Sequence, residues 1–241
     1  MLGWKGKIGL LVPDSNCNME PHATMMVPEG VTVHSGRLKF GQAVTPDTLR
    51  ELAKDIERET EKLASIPVDV VLLGCTSGTL IEGPGYDQKI IGLIEKASEG
   101  IPGLTTATAV VEALKTLGLK KVAVATPYIK EINDAEIRFL EGNGFTVTCL
   151  NGLELLNNSE FLSQPPYVLY NLAHSAYKER PDSDGIFISC TSLRSPEVIE
   201  DLERNVGKPA VTSTQASVWA ALRKIGIREP VRGYGQLMER F

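Results

Sequence analysis

The chain has no apolar run approaching the roughly 20 residues needed to cross a bilayer, and Met1 to Lys7 carries neither the apolar stretch nor the cleavage site of a secretion signal. No membrane partner is expected, and the cytoplasm is the expected location. Histidine is scarce, with three residues, and the four cysteines (Cys17, Cys75, Cys149, Cys190) show no C-x-x-C or related ligand spacing. No metal site is predicted, and a reducing cytoplasm disfavours a disulfide framework. There is no basic block: 25 Lys and Arg are scattered among 30 Asp and Glu, for a net charge of −5, which disfavours a nucleic-acid partner. The glycine-rich stretch from Glu82 to Gly85 lacks the lysine and the helix motif of a phosphate loop, and reads as a turn or a flap over Cys75.

What is present is enough apolar material, 42% of 241 residues, to fill a sizeable core. Apolar runs at Lys7 to Val12, Val68 to Leu73, Gly103 to Thr106, Lys121 to Ala125, Thr146 to Leu150, Gly185 to Ser189 and Pro209 to Thr212 read as strands. Most are apolar on both faces. Between them lie helical patterns at Asp47 to Ala64, Gln88 to Ala97, Ala107 to Leu117, Glu131 to Glu141, Pro166 to Lys178 and Pro196 to Asn205. Buried strands alternating with helices imply an α/β fold with parallel sheets. Thr45 and Ser195, each followed by proline and an acidic residue, read as helix N-caps, and Gly118 reads as a helix stop. Asn157 to Ser159 reads as a polar loop or cap.

A repeat runs through the chain. Asp69 precedes an apolar strand that ends in Cys75, Thr76 and Ser77; Asp184 precedes one that ends in Cys190, Thr191 and Ser192, 115 residues later. Strands opening at Lys7 and Lys121 begin the halves at a similar offset. The chain therefore divides into two pseudo-symmetric α/β halves, 1–118 and 119–230, with the active site between them. The tail 231–241, carrying Tyr234, Leu237, Met238 and Phe241, is expected to pack back onto the first half.

Ligands of open α/β sheets bind beyond the carboxyl ends of the strands, where both Cys-Thr-Ser motifs fall. Free N–H groups at such a turn lower a thiol's pKa and hold a carboxylate, and Thr76, Ser77, Thr191 and Ser192 add hydroxyl donors. A single cysteine at a strand end is ordinarily a small buried hydrophobe. Two at matching positions of a repeat point instead to paired chemistry, whereas Cys149 reads as structural. His22, His34 and His174 form no ligand set, and Arg37 reads as a surface ion-pair residue.

Taken together, Val12 to Asn16, Gly74 to Ser77, Thr126 to Tyr128, Pro181 to Cys190 and Arg232 to Gly235 resemble the maleate cis-trans isomerase and arylmalonate decarboxylase branch of the aspartate/glutamate racemase superfamily. The resemblance spans the whole chain. It implies that Cys75 is a nucleophile or base, that Cys190 gives or removes a proton on the opposite face, and that Asn16, Tyr128 and Asn158 hold substrate. It also implies that no cofactor is needed and that the partner is a small carboxylate; a homo-oligomer is compatible with it. Decarboxylases of the branch carry glycine where this chain has Cys75 and lack the pair Ser15 and Asn16, which moves the chain toward the isomerases and racemases, with isomerisation of a dicarboxylate such as maleate as the expected reaction. Amino-acid or hydantoin racemisation, arylmalonate decarboxylation and a dicarboxylate-binding sensor stay open as alternatives.

Overall fold

The computed structural model describes residues 2–241. The first half runs β1 (Gly6–Pro13), α1 (Met19–Met26), β2 (Val31–Leu38), α2 (Pro46–Leu52), α3 (Ile56–Ala64), β3 (Val70–Leu73), α4 (Thr76–Leu80), α5 (Tyr86–Ala97), β4 (Gly103–Thr105) and α6 (Thr106–Thr116). The second runs β5 (Lys121–Thr126), α7 (Lys130–Gly142), β6 (Thr146–Gly152), α8 (Asn158–Leu162), α9 (Pro166–Glu179), β7 (Gly185–Ile188), α10 (Ile199–Val206), β8 (Ala210–Thr212), α11 (Ser213–Lys224) and α12 (Gly235–Arg240).

Each half holds a four-stranded parallel sheet, in the orders β2-β1-β3-β4 and β6-β5-β7-β8, so the repeat in sequence is a repeat in topology. The inner strands are apolar on both faces because helices cover both: Leu10, Leu11, Val70, Leu72, Val124, Ile186 and Ile188 are all buried. Each such side chain contributes about 1.5–3 kcal/mol by leaving water.

The repeated aspartates hold register rather than substrate. Asp69 accepts from the Lys7 N–H at 2.7 Å, and Asp184 accepts from the Lys121 N–H at 2.8 Å, each pinning the start of one inner strand to its neighbour.

The strand missed in the sequence is β2, an edge strand whose middle, Thr32 to Gly36, is only half-buried. Its polar residues hide the alternation that marks a strand. The single helix expected over 47–64 is broken by a 3-10 turn at Ala53–Asp55. Thr45 caps α2 as expected, in a reciprocal pair with Thr48. Ser195 does not act as a cap: it lies inside a 3-10 turn with its hydroxyl buried and unpaired.

The helices that follow the last strand of each sheet, α6 and α11, pack against each other at the centre, and the Ser217 hydroxyl donates to that of Thr106 at 2.9 Å. The C-terminal segment departs from expectation. Helix α12 packs on α10, α11 and β8 of the second half, where Leu237 and Met238 bury their side chains; Tyr234 reaches the first half, its hydroxyl 3.5 Å from the Met25 carbonyl.

Candidate active site

The ladder of each sheet ends one residue short of a cysteine. The Gly74 N–H donates to the Leu11 carbonyl at 2.7 Å, and the Ser189 N–H donates to that of Ala125 at 2.9 Å. Cys75 then opens α4 in an extended conformation, φ −144°, as its N-cap. Cys190 turns instead into the left-handed region, φ +93°, a conformation that costs a residue with a Cβ on the order of 1–3 kcal/mol. Fixed hydrogen bonds support that turn: the Ser213 hydroxyl lies 3.0 Å from the Cys190 nitrogen and accepts its N–H, and the Ser192 N–H faces the Cys190 sulfur at 3.4 Å.

Both thiols line one cavity between the halves, together with Thr76, Ser77, Tyr128, Asn158, Thr191 and Ser192. The rest of the wall is apolar: Pro13, Phe40, Val44, Leu49 and Phe161. The cavity measures about 20 Å³, room for about one water. Its cover is the segment after β2. Two N–H groups, of Phe40 and Gly41, donate to Asp14, and the backbone of Gln42 and Val44 pairs with Asn158 and Leu156 across the seam. The turn at Glu82 to Gly85 does not line the cavity; Pro84 lies against Gly142 instead.

Burial pushes the Cys75 thiol up to about 11, against the opposing pull of the Gly78 N–H and the Ser77 hydroxyl. It pushes Cys190 up to about 12, against the Ser192 N–H and the Tyr128 phenol. Both cysteines are therefore thiols at neutral pH, and the helix-start N–H groups do not produce a standing thiolate.

The structure gathers most of the residues singled out in the sequence, in different capacities. Thr76 presents a buried hydroxyl with no protein partner, free to meet a ligand. Tyr128 is fully buried, packed edge-on against Phe161, with its carbonyl held by the Asn133 amide at 2.9 Å. Asn158 accepts from the Ser192 hydroxyl at 2.7 Å and donates to the Ser15 carbonyl at 2.9 Å, so it joins the halves while facing the cavity. Thr191 donates to the Gly74 carbonyl at 3.0 Å, a second such tie.

Asn16 is placed differently from expectation. It does not line the cavity; its Oδ1 accepts from the N–H groups of Asn18 and Met19 at the start of α1, and its Nδ2 donates to Thr191 at 3.1 Å. An asparagine at a loop-to-helix boundary meets the helix's free donors first. Arg37 donates to the Asn16 carbonyl and pairs with Glu20. Cys17 is exposed, and the Cys149 thiol faces Glu179 at 3.5 Å. Among the described residues no group of three His, Cys, Asp or Glu side chains is arranged to hold a metal ion.

Sequence reasoning missed the apolar wall, whose residues come from loops and helices without a motif. It also passed over Ser189 and Glu136 behind Tyr128. One signal was there to be read: the repeat carries Gly74 in the first half and serine at 189 in the second.

The arylmalonate decarboxylase family model matches residues 8–238. The chain belongs to that family. It is 30% identical to arylmalonate decarboxylase of Bordetella bronchiseptica, over 96% of each chain. The structure superposes on maleate isomerase Iso of Pseudomonas putida S16, solved as a cysteine-to-alanine variant with maleate, with a TM-score of 0.92 at 26% identity over 97% of each chain. It also matches a cysteine-to-serine mutant of Nocardia farcinica maleate cis-trans isomerase that holds a covalently bound succinylcysteine intermediate, with a TM-score of 0.90 at 25% identity over 98% of this chain and 99% of that one. No helix among the described residues is long and apolar enough to cross a membrane.

Proposed function

We propose that this family member is a cofactor-independent, cytoplasmic isomerase that converts a small dicarboxylate, maleate, to its trans isomer. The observation that carries the reading is the pair of thiols, one from each half, opening onto a single small cavity. The succinylcysteine of the Nocardia relative supports a covalent route.

Cys75 sulfur bonds to one carbon of the double bond, and the π pair moves to the other carbon and its carboxylate. Cys190 delivers its proton to that carbon and takes up the one that Cys75 gives up. The first half-reaction is thus addition of the Cys75 S–H across the double bond. The new single bond rotates; the proton is removed again, the C–S bond breaks and fumarate leaves. Passing a proton between two thiols fits a cavity in which burial keeps both protonated. No Lys or Arg lines the cavity, so the two carboxylates are held by hydroxyl, amide and backbone donors, with Thr76, Ser77, Tyr128, Asn158 and Ser192 in this role. Asn16 and Thr191 keep the two halves, and with them the two thiols, in register. The cavity as it stands has room for about one water, so a dicarboxylate enters only with movement of the wall.

A second reading follows from the apolar wall of Phe40, Val44, Leu49 and Phe161: an arylmalonate seated there loses carbon dioxide, and Cys190 protonates the enediolate. Incubation with maleate and with an arylmalonate in deuterated water, followed by NMR, decides between them. Fumarate supports the isomerase. A deuterated monoacid and no fumarate would replace it with the decarboxylase.

A further inference from the structure

Behind the cavity wall of the second half lies a carboxyl group that the isomerisation chemistry leaves without a task. Glu136, on α7, is fully buried; the Ser189 hydroxyl lies 2.5 Å from its Oε1, and its Oε2 has no partner at all. Ser189 is the residue before Cys190. The first half has nothing comparable, because Gly74 stands there and the Met19 side chain fills the space behind it. The polar connection therefore serves one thiol of the two.

We propose that Glu136 is a positioning residue that sets the proton balance of Cys190 through the hydroxyls of Ser189 and Tyr128. The inference rests on the reading of Cys190 as the group that moves a proton. The groups are placed for it: Ser189 joins Glu136 directly and precedes Cys190 in the chain, and Tyr128 and Cys190 line the same cavity. The Tyr128 phenol favours the Cys190 thiolate, and the Ser189 hydroxyl favours ionised Tyr128. Ser189 has a single proton to give, so it serves either Tyr128 or Glu136 at one time. While the Glu136 carboxyl is protonated it donates to Ser189, Ser189 donates to Tyr128, and Tyr128 donates to the Cys190 sulfur. Loss of the Glu136 proton to solvent reverses each bond. Ser189 then turns to the carboxylate, Tyr128 turns to Ser189, and the Cys190 thiolate loses its donor.

The surroundings of Glu136 leave this switch to the carboxyl itself. Burial raises it to about 8, so it is neutral at physiological pH. The titratable groups on its cavity side are Tyr128, Cys190 and, across the cavity, Cys75. Helix α4, packed against α7, brings only Thr76 to Leu80, none of them charged. Strand β6, on the other flank, brings Cys149, whose thiol is turned to Glu179 on α9. No charged side chain contributes to the Glu136 shift, which arises from burial opposed by the Ser189 hydrogen bond.

The test reads Cys190 without any substrate. In a Cys75→Ser background, the rate at which iodoacetamide modifies Cys190 is followed by peptide mass spectrometry from about pH 6 to about pH 10. Glu136→Gln keeps a donor toward Ser189 at every pH. Its Cys190 should react at the parent's rate near pH 6 and about tenfold faster above pH 9, as expected for a thiolate that keeps a hydrogen-bond donor. In a Ser189→Ala background the same Glu136→Gln change should make no difference at any pH. If Ser189→Ala does not fold, Ser189→Gly, the residue the first half carries at Gly74, takes its place. Identical profiles for parent and Glu136→Gln would overturn the proposal. So would a difference that persists without Ser189, since the carboxylate would then act through space. Absence of fumarate in the assay with maleate would count against the isomerase reading and leave this measurement untouched.

Discussion

Cys75 and Cys190 each stand one residue beyond a matching ladder end and open onto the same cavity, yet their backbones part there, Cys75 at φ −144° and Cys190 at φ +93°. The repeat places two thiols, and local structure makes them unequal. One stands at the start of a helix, with the Gly78 N–H favouring its thiolate; the other sits in a strained turn next to Ser189, which is bonded to Glu136.

The strain gives a prediction about stability. Glycine adopts positive φ freely, so Cys190→Gly should be more stable than Cys190→Ala by about 1 kcal/mol, although both lose the thiol. Urea denaturation of the two variants measures the gap. Equal midpoints would mean that the turn is not strained.

Gly78 lies against Cys75, the proposed nucleophile. A Cβ there would stand 2.9 Å from the Cys75 sulfur and 2.8 Å from Leu52. Gly78→Ala should therefore displace the thiol and lower kcat by about 10²-fold, the cost of misplacing a reacting group. The melting temperature should fall as well, since Leu52 is buried in the core and an added Cβ pressed against it costs about 1–3 kcal/mol. Unchanged kcat would show that the thiol has room that the cavity does not display.

Glu136 makes stability depend on pH in a definite direction. Its carboxyl is raised from 4.5 to about 8 in the folded chain, so the folded state retains a proton that the unfolded state has released between these values. Its contribution is fully present below pH 4.5 and is lost as pH rises toward 8. Relative to the parent, Glu136→Gln should gain melting temperature steadily from pH 5 to pH 8 and level off above. A gap that stays constant over that range would contradict the burial assigned to this group.

Much of this was legible in the chain because the physics that fixes it is local. Strands apolar on both faces announce parallel sheets. The paired Asp and Cys-Thr-Ser segments, spaced alike, announce the repeat and the shared site. Strand β2 was not legible, because an edge strand carrying His34 and Arg37 has no apolar alternation to display. Nor was the place of Asn16: only the fold shows that the free N–H groups of Asn18 and Met19 claim its oxygen. The low pKa expected for a thiol at a helix start also fails here, because burial outweighs one N–H and one hydroxyl. Burial of that kind comes from Phe40, Val44, Leu49 and Phe161, contributed by distant segments that carry no common motif.

The proposed roles, Cys75 as nucleophile and Cys190 as proton carrier, meet their sharpest test in mass spectrometry of the Cys190→Ser variant after incubation with maleate. The expected result is a succinyl adduct on Cys75 that accumulates because its proton cannot be taken back efficiently, with no turnover in Cys75→Ser. An adduct found on Cys190 in the parent and never on Cys75 would contradict the account, as would substrate-dependent deuterium exchange with no adduct on either thiol.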